Sequence, residues 1–192
     1  MSFFINNKKQ QSLIYSMKTL KTYKQLNETN EITDEEKSQM FLDHKLSSYV
    51  ANCKSVSEIR SILEDGANPN FIRIRGNSLL MVMIRRNCKN IIDYIKLFIE
   101  FGVNLNHRND KGETAIYIAA YESNYEIVEL LIVSGADLKI QYSNNHIRKE
   151  TYYIFDFLKF RGDQDFYEKL VEKYPEQLQF YLSIKKADEF NL

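Results

Sequence analysis

An excess of charge of either sign is missing from this chain: 26 Lys and Arg stand against 26 Asp and Glu over 192 residues. Without a global bias, neither nucleic acid nor an anionic membrane is nominated as a partner, and electrostatic binding must come from local patches. Proline and glycine are scarce, at 2 and 6 residues, which excludes collagen-like and low-complexity chains. Tryptophan is absent, yet 13 Tyr and 12 Phe supply apolar surface for one or two domains with a real core and argue against wholesale disorder. No apolar run approaches the roughly 20 residues of a membrane span. The opening Met1-Ser-Phe-Phe-Ile-Asn-Asn-Lys-Lys turns polar too soon for a secretory signal. A soluble, intracellular protein is expected.

Cysteine is nearly absent too. Cys53 and Cys88 form neither a disulfide framework nor a C-x-x-C pair, and both read as reduced thiols in a reducing compartment. The alternative is a single bridge between them, which would need Cβ atoms about 4 Å apart. Catalytic signatures are also lacking. There is no phosphate-binding glycine loop, zinc-binding H-E-x-x-H helix, G-x-S-x-G elbow or kinase loop. His44, His107 and His146 lack metal-ligand spacing, and a nucleophile pair such as Cys53 with His44 has no third group to orient it. No enzyme activity, metal or cofactor is expected.

What is present is a repeat. Gly112-Glu-Thr-Ala-Ile-Tyr-Ile-Ala-Ala, followed by Glu126-Ile-Val-Glu-Leu-Leu-Ile-Val-Ser-Gly-Ala-Asp137, resembles the ankyrin repeat over its full length, with Ala115 for the usual Pro and Tyr117 for the usual His. The same frame finds Gly76-Asn-Ser-Leu-Leu with Asp93-Tyr-Ile-Lys-Leu-Phe-Ile-Glu-Phe-Gly-Val-Asn-Leu-Asn106, carrying extra residues around Asn87 to Asn90. Upstream, Val56 to Asn70 is the second half of an earlier copy whose first helix is placed at Asp43 to Asn52. Downstream, Phe155 to Gly162 and Asp165 to Val171 form a degenerate last copy.

The glycines test this register independently. Gly66, Gly102 and Gly135 fall where a positive-φ residue ends the second helix, Gly76 and Gly112 in the turn before the first, and Gly162 between the two. Ser78, Thr114 and Thr151 sit where a hydroxyl can cap a helix start. Ala119 and Ala120 keep the first helix thin, and Ile127, Val128, Leu130, Leu131 and Ile132 give the second an apolar surface buried by stacking. Met83 and Ile84 replace the two alanines in the second copy, which predicts a wider or differently packed interface there.

The resemblance implies an all-α ankyrin-repeat solenoid of helix-turn-helix units joined by short hairpin loops. Its repeats occupy approximately 39–72, 73–108, 109–141 and 142–174. A segment 1–38 precedes them as a helical cap or arm, with a weak stripe of Leu13, Met17 and Leu20 and a capping-box spacing at Thr33 to Glu36. A capping segment 175–192, rich in aromatic residues, follows and is expected to pack on the last repeat.

The resemblance also implies a binding surface: hairpin tips and inner faces of the first helices form a concave side, and the second helices form the back. Carried over position by position, the variable residues of the second copy are Ile74, Arg75, Asn77, Arg85, Arg86 and Arg108, joined by Arg73. Those of the third are Asp110, Lys111, Glu113, Tyr121, Glu122 and Gln141. A longer connection then places Asn144-Asn-His-Ile-Arg-Lys149 at the tip of a finger, adding His146, Arg148 and Lys149. Glu129 and Lys96 fall on the expected convex back. The implied function is a monomeric protein-interaction module, an adaptor or masking inhibitor, whose partner is a protein acidic at the contact. Abundant Lys, Asn, Ile and Tyr, as in AT-rich genomes of viruses, intracellular bacteria and some protists, extends this to a host-directed effector in cytoplasm or nucleus. The alternative is binding of nucleic acid or another anionic ligand by the arginine face, with Tyr121 as a stacking platform.

Overall fold

The computed structural model describes residues 33–144 and 148–189. The chain divides into two compact units, Met1–Phe41 and Leu42–Leu192. In the first unit the described residues open a helix at Asp34. Its capping box is formed as the spacing predicts, with Thr33 N donating to Glu36 Oε2 at 2.8 Å and Glu36 N donating to Thr33 Oγ1 at 3.2 Å. The stripe at Leu13, Met17 and Leu20 lies outside the described residues, as does His146.

Element order is α1 (Asp34–Ala51), α2 (Val56–Glu64), a 3-10 turn (Ile74–Gly76), α3 (Leu79–Arg86), α4 (Ile91–Glu100), α5 (Ala115–Tyr121), α6 (Tyr125–Val133), β1 (Lys139–Asn144), β2 (Arg148–Tyr153), α7 (Ile154–Phe160), α8 (Gln164–Lys173) and α9 (Pro175–Glu189). The first repeat's leading helix was expected to begin at Asp43. It is instead continuous from Asp34, because no Gly or Pro interrupts the stretch.

Within the second unit α3 pairs with α4, α5 with α6 and α7 with α8, while α4 packs on α2, α5 on α3 and α7 on α5. This is a stack of helical hairpins. Three of the second helices, α2, α4 and α6, end identically. Gly66, Gly102 and Gly135 donate to Leu63, Ile99 and Ile132, and the next residues Ala67, Val103 and Ala136 donate to Ile62, Phe98 and Leu131, all at 3.0–3.1 Å. That is the Schellman pattern, which needs a left-handed residue after the helix, and the three glycines have φ of 99°, 75° and 85°.

First helices are capped by Ser78, accepting from Met81 N, and Thr114, accepting from Tyr117 N, each cap contributing about 1 kcal/mol. Thr151 is not a cap: it pairs with Gln141 inside β2, and α7 starts after Tyr153 with no side-chain cap. Ser55 and Glu58 form a second complete capping box at α2.

Ile95, Phe98, Ile127, Val128 and Leu131 are fully enclosed, and each buried side chain of this size contributes about 1.5–3 kcal/mol. Ala119 and Ala120 are equally enclosed, and Met83 and Ile84 fill the same positions one repeat earlier. The aromatic C-terminal helix docks by Tyr181, whose ring lies 5.0 Å from Phe155 and whose hydroxyl donates to Asp156 Oδ1 at 2.8 Å. Phe180 and Leu182 on α9 remain exposed.

The cysteines are joined, not free: Cys53 and Cys88 form a disulfide with Cα atoms 5.7 Å apart. Both lie in the turn between the helices of a repeat, in adjacent repeats, so stacking brings the turns side by side. The register contained this information, and the expectation of reduced thiols overlooked it.

Candidate binding surface

The second and third repeats present their hairpins next to one another, and a buried polar network locks the pair together. Arg73 N donates to Asn77 O at 2.8 Å in the first hairpin and Asn109 N to Glu113 O at 3.1 Å in the next. Between them Asp110 N donates to Arg75 O at 3.2 Å, and His107 Nε2 lies 2.7 Å from Gly76 O. This approach leaves no room for a side chain at Gly76, where a Cβ would meet Asp110 Oδ1 at 2.5 Å and Asp110 N at 2.9 Å. Asn109 stands at the centre. Its Oδ1 accepts from Lys111 N and Glu113 N, and its Nδ2 donates to Asn77 Oδ1 and Glu113 Oε2, all within 3.0 Å.

That network decides which expected contact residues face outward. Glu113 is buried and takes Arg85 Nη2 at 2.7 Å. Asn77 also donates to Ile74 O. Arg108 Nη2 donates to Lys139 O at 3.3 Å and lies 4.0 Å from Asp137. These four side chains hold repeats to each other. Arg73 also has an interaction of its own. By contrast, Arg75 and Arg86 are exposed, with no ion pair among the described residues. Ile74, Asp110, Lys111, Tyr121 and Glu122 are exposed as well.

Arg75 holds φ at 63°, a conformation uncommon for a residue with a side chain. The close approach of the next hairpin at its carbonyl helps fix it. On the finger, Gln141 pairs with Thr151, Lys149 with Ser143 and Arg148 with Asn144, in an antiparallel two-stranded ladder. The hairpin before α7 is thus a β-ribbon where the two before it are tight turns.

Two residues escaped the sequence reading. Phe160 is 89% exposed and occupies the place in its repeat that Tyr121 and Arg85 occupy in theirs, two residues before the left-handed turn residue at Gly162, Ser123 and Asn87 respectively. Counting back from Gly162 would have found it. Arg161, beside it, is a clamp: Nη1 donates to Tyr121 O at 2.6 Å and Ala120 O at 3.2 Å, and Nη2 to Ser123 Oγ at 3.0 Å. Its guanidinium lies 5.7 Å from the Tyr121 ring centre, and Tyr117 stacks on that ring at 6.1 Å. Tyr121 is therefore held in place and still 59% exposed.

The expected convex back is not inert. Glu129 accepts from Lys173 Nζ and from Tyr174 Oη at 2.6 Å. These donors, Lys173 first, hold its carboxyl below the usual carboxylate range. Lys96 is exposed.

Among the described residues, no three His, Cys, Asp or Glu side chains are grouped so as to hold a metal ion. No helix there is long and apolar enough to cross a membrane.

Comparison with known proteins agrees with this geometry. A family model described as ankyrin repeats, in three copies, matches residues 47–142. An ankyrin repeat protein of Acanthamoeba polyphaga mimivirus is 33% identical over 91 residues, 44% of this chain and 14% of its own length. One from Fowlpox virus is 26% identical over 145 residues, 70% of this chain and 35% of its own. An inactive serine/threonine-protein kinase of Mus musculus is 26% identical over 83 residues, 43% of this chain and only 6% of its own. The chain spans about a third or less of the length of each of these relatives.

Proposed function

We propose, because this chain belongs to the ankyrin repeat family, that it is a non-catalytic protein-interaction module, an adaptor or masking inhibitor, that captures a protein through its hairpin tips and the exposed ends of its first helices. Ankyrin repeats are generally protein–protein interaction modules. The observation that carries the reading here is the exposure of Ile74, Tyr121 and Phe160 (53%, 59% and 89%) on a framework whose neighbouring polar groups are already paired. An exposed ring held in place, as Tyr121 is by Arg161 and Tyr117, loses little freedom on binding, and aromatic and Arg anchors dominate interface energetics.

Arg75 and Arg86 favour a partner with carboxylates at the contact, since guanidinium and carboxylate pair bidentately. The nucleic-acid reading is weaker on this geometry. Glu113 occupies Arg85, and the Tyr121 ring already has Tyr117 and Arg161 against it. The viral relatives fit a host-directed role in cytoplasm or nucleus.

The test is a pull-down from cell lysate at two salt concentrations, run with the wild-type chain and with the double variant Tyr121→Ala, Phe160→Ala, alongside retention on heparin and single-stranded DNA. A protein retained by wild type and lost by the variant supports the reading. Strong retention on single-stranded DNA, with no protein lost by the variant, moves it to the anionic-ligand alternative.

A further inference from the structure

The disulfide sits within a regular pattern of turn-to-turn contacts. Cys53 is the left-handed residue of its turn, at φ 50°, and Cys88 directly follows the left-handed residue of the next, Asn87 at φ 46°. One step along the stack the same relation places Asn87 against Asn124, which directly follows Ser123, at φ 55°. There Asn124 Nδ2 faces Asn87 Oδ1 at 3.5 Å, a long and weak contact. At the third step Arg161 reaches back to Ser123 Oγ. One edge of the array is thus tied at every step, by polar contacts at the later steps and by a covalent bond at the first.

The two cysteine residues are not equivalent. Cys53 is exposed, whereas Cys88 is 8% exposed and part of the hydrophobic core cluster. Beyond the bond, the first repeat packs on the second through the shared apolar core, with Leu46, Val50, Ile59, Ile62 and Leu63 buried, and its polar ties are few: the exposed bidentate pair of Arg60 with Glu100, at 2.8 and 2.7 Å, the Asn70 side chain on Asn104 N and Gly102 O, and Tyr94 Oη donating to Lys54 O at 2.5 Å. In a stacked array each repeat leans only on its neighbours, so individual junctions can open locally. The role in cytoplasm or nucleus proposed above, on which the inference rests, places the chain in a reducing compartment, where disulfides are mostly transient or sensing bonds.

We infer that Cys53 is a site of reversible thiol modification, with Cys88 as its buried resolving thiol, and that opening their bond loosens the junction between the first repeat and the second. A small-molecule thiolate such as that of glutathione attacks Cys53 Sγ, the sulfur on the accessible residue. A bond from the incoming sulfur to Cys53 Sγ forms as the Cys53–Cys88 bond breaks, and the electron pair leaves on Cys88 Sγ, which takes up a proton. A second thiolate attacking the mixed disulfide frees the Cys53 thiol and yields the small disulfide, so two thiols are oxidised and the protein bond is reduced by two electrons. Reversal uses the same small disulfide: Cys53 thiolate attacks it, one half staying as a mixed disulfide and the other leaving as a thiolate, and Cys88 thiolate then attacks Cys53 Sγ and expels the bound half as a second thiolate.

Full-length oxidised protein, incubated in graded mixtures of glutathione and glutathione disulfide, acid-quenched and mapped by peptide mass spectrometry, tests the first half. The adduct should sit on Cys53 in at least about tenfold excess over Cys88. The Cys88→Ser variant should hold it stably, and Cys53→Ser should take up none. Hydrogen exchange of the wild-type chain, which needs no variant, tests the second half. Amides of 42–66 should exchange at least about tenfold faster after reduction, while those of α5 and α6 change by less than about twofold. Comparable labelling of Cys88, or exchange in 42–66 indifferent to reduction, overturns the inference.

Discussion

At the scale of single residues, Asn109 is the side chain whose loss should be felt most. A carboxamide has two donors and two acceptor lone pairs, and all are spent: on Asn77, Glu113, Lys111 N and Glu113 N. Replacing it by Ala takes one of two donors from the buried Glu113 carboxylate, which keeps Arg85, and leaves Lys111 N and Glu113 N without their side-chain acceptor; it should cost about 2–4 kcal/mol in urea denaturation. A loss below about 0.5 kcal/mol would mean that the hairpins are held by their backbones alone. His44 acts through protonation. Burial against the Phe71 ring, 5.2 Å away, holds its pKa below the usual 6.5, with Asp43 opposing and Arg73 reinforcing the shift. The unfolded chain therefore binds the proton first as pH falls. Stability from this group is intact above pH 6.5 and is lost as pH drops from there through the folded-state value. Unfolding titrations between neutral and mildly acidic pH should show a shallower decline for His44→Leu than for wild type, and parallel curves would remove His44 from the account.

Among the helices, legibility divides by whether a feature is local. Helix ends, caps and the apolar face of α6 were readable because each depends on residues within a few positions, such as Ser78 with Met81 N or Gly135 with Ile132 O. Polar ties between repeats were not: Arg85 with Glu113 and Glu129 with Lys173 join residues 28 and 44 apart. Repeat alignment says which column a residue occupies and leaves open which neighbour it bonds. Glu129 illustrates the consequence. From its place on the expected back its replacement would be silent, yet it links α6 to α8 and its carboxyl titrates low because Lys173 and Tyr174 donate to it. Glu129→Ala should lower the midpoint of thermal unfolding, and its contribution in wild type should fade as acid protonates the carboxyl through its depressed pKa. Lys96→Ala, on an exposed position of α4, should stay within about 0.5 kcal/mol. Equal behaviour of the two variants would show the α6–α8 tie to be idle.

For the molecule as a whole, the repeat architecture was legible because stacking demands the same terminator and the same apolar face in each copy. Which side chains of the proposed contact surface stay free of the array was legible only in part. Of the arginines that the repeat frame directs at a partner, Arg85 and Arg108 are occupied inside the array, and a variant removing all of them would confuse lost binding with lost stacking. Arg75 and Arg86 separate the two effects. Both are exposed and outside the ion pairs of the described residues, so Arg75→Ser with Arg86→Ser should shift stability by no more than about 0.5 kcal/mol for each change. Binding should fall much further, by about tenfold or more for an arginine that anchors a carboxylate at a desolvated contact. The measurement is the dissociation constant for the captured protein at two salt concentrations, with unfolding midpoints taken on the same samples. A partner that meets these arginines through carboxylates should also show weaker salt dependence with the variant, because screening then has fewer charges to act on. If affinity and salt dependence both survive, the two arginines are solvated surface, and the aromatic pair Tyr121 and Phe160 must carry the contact without them.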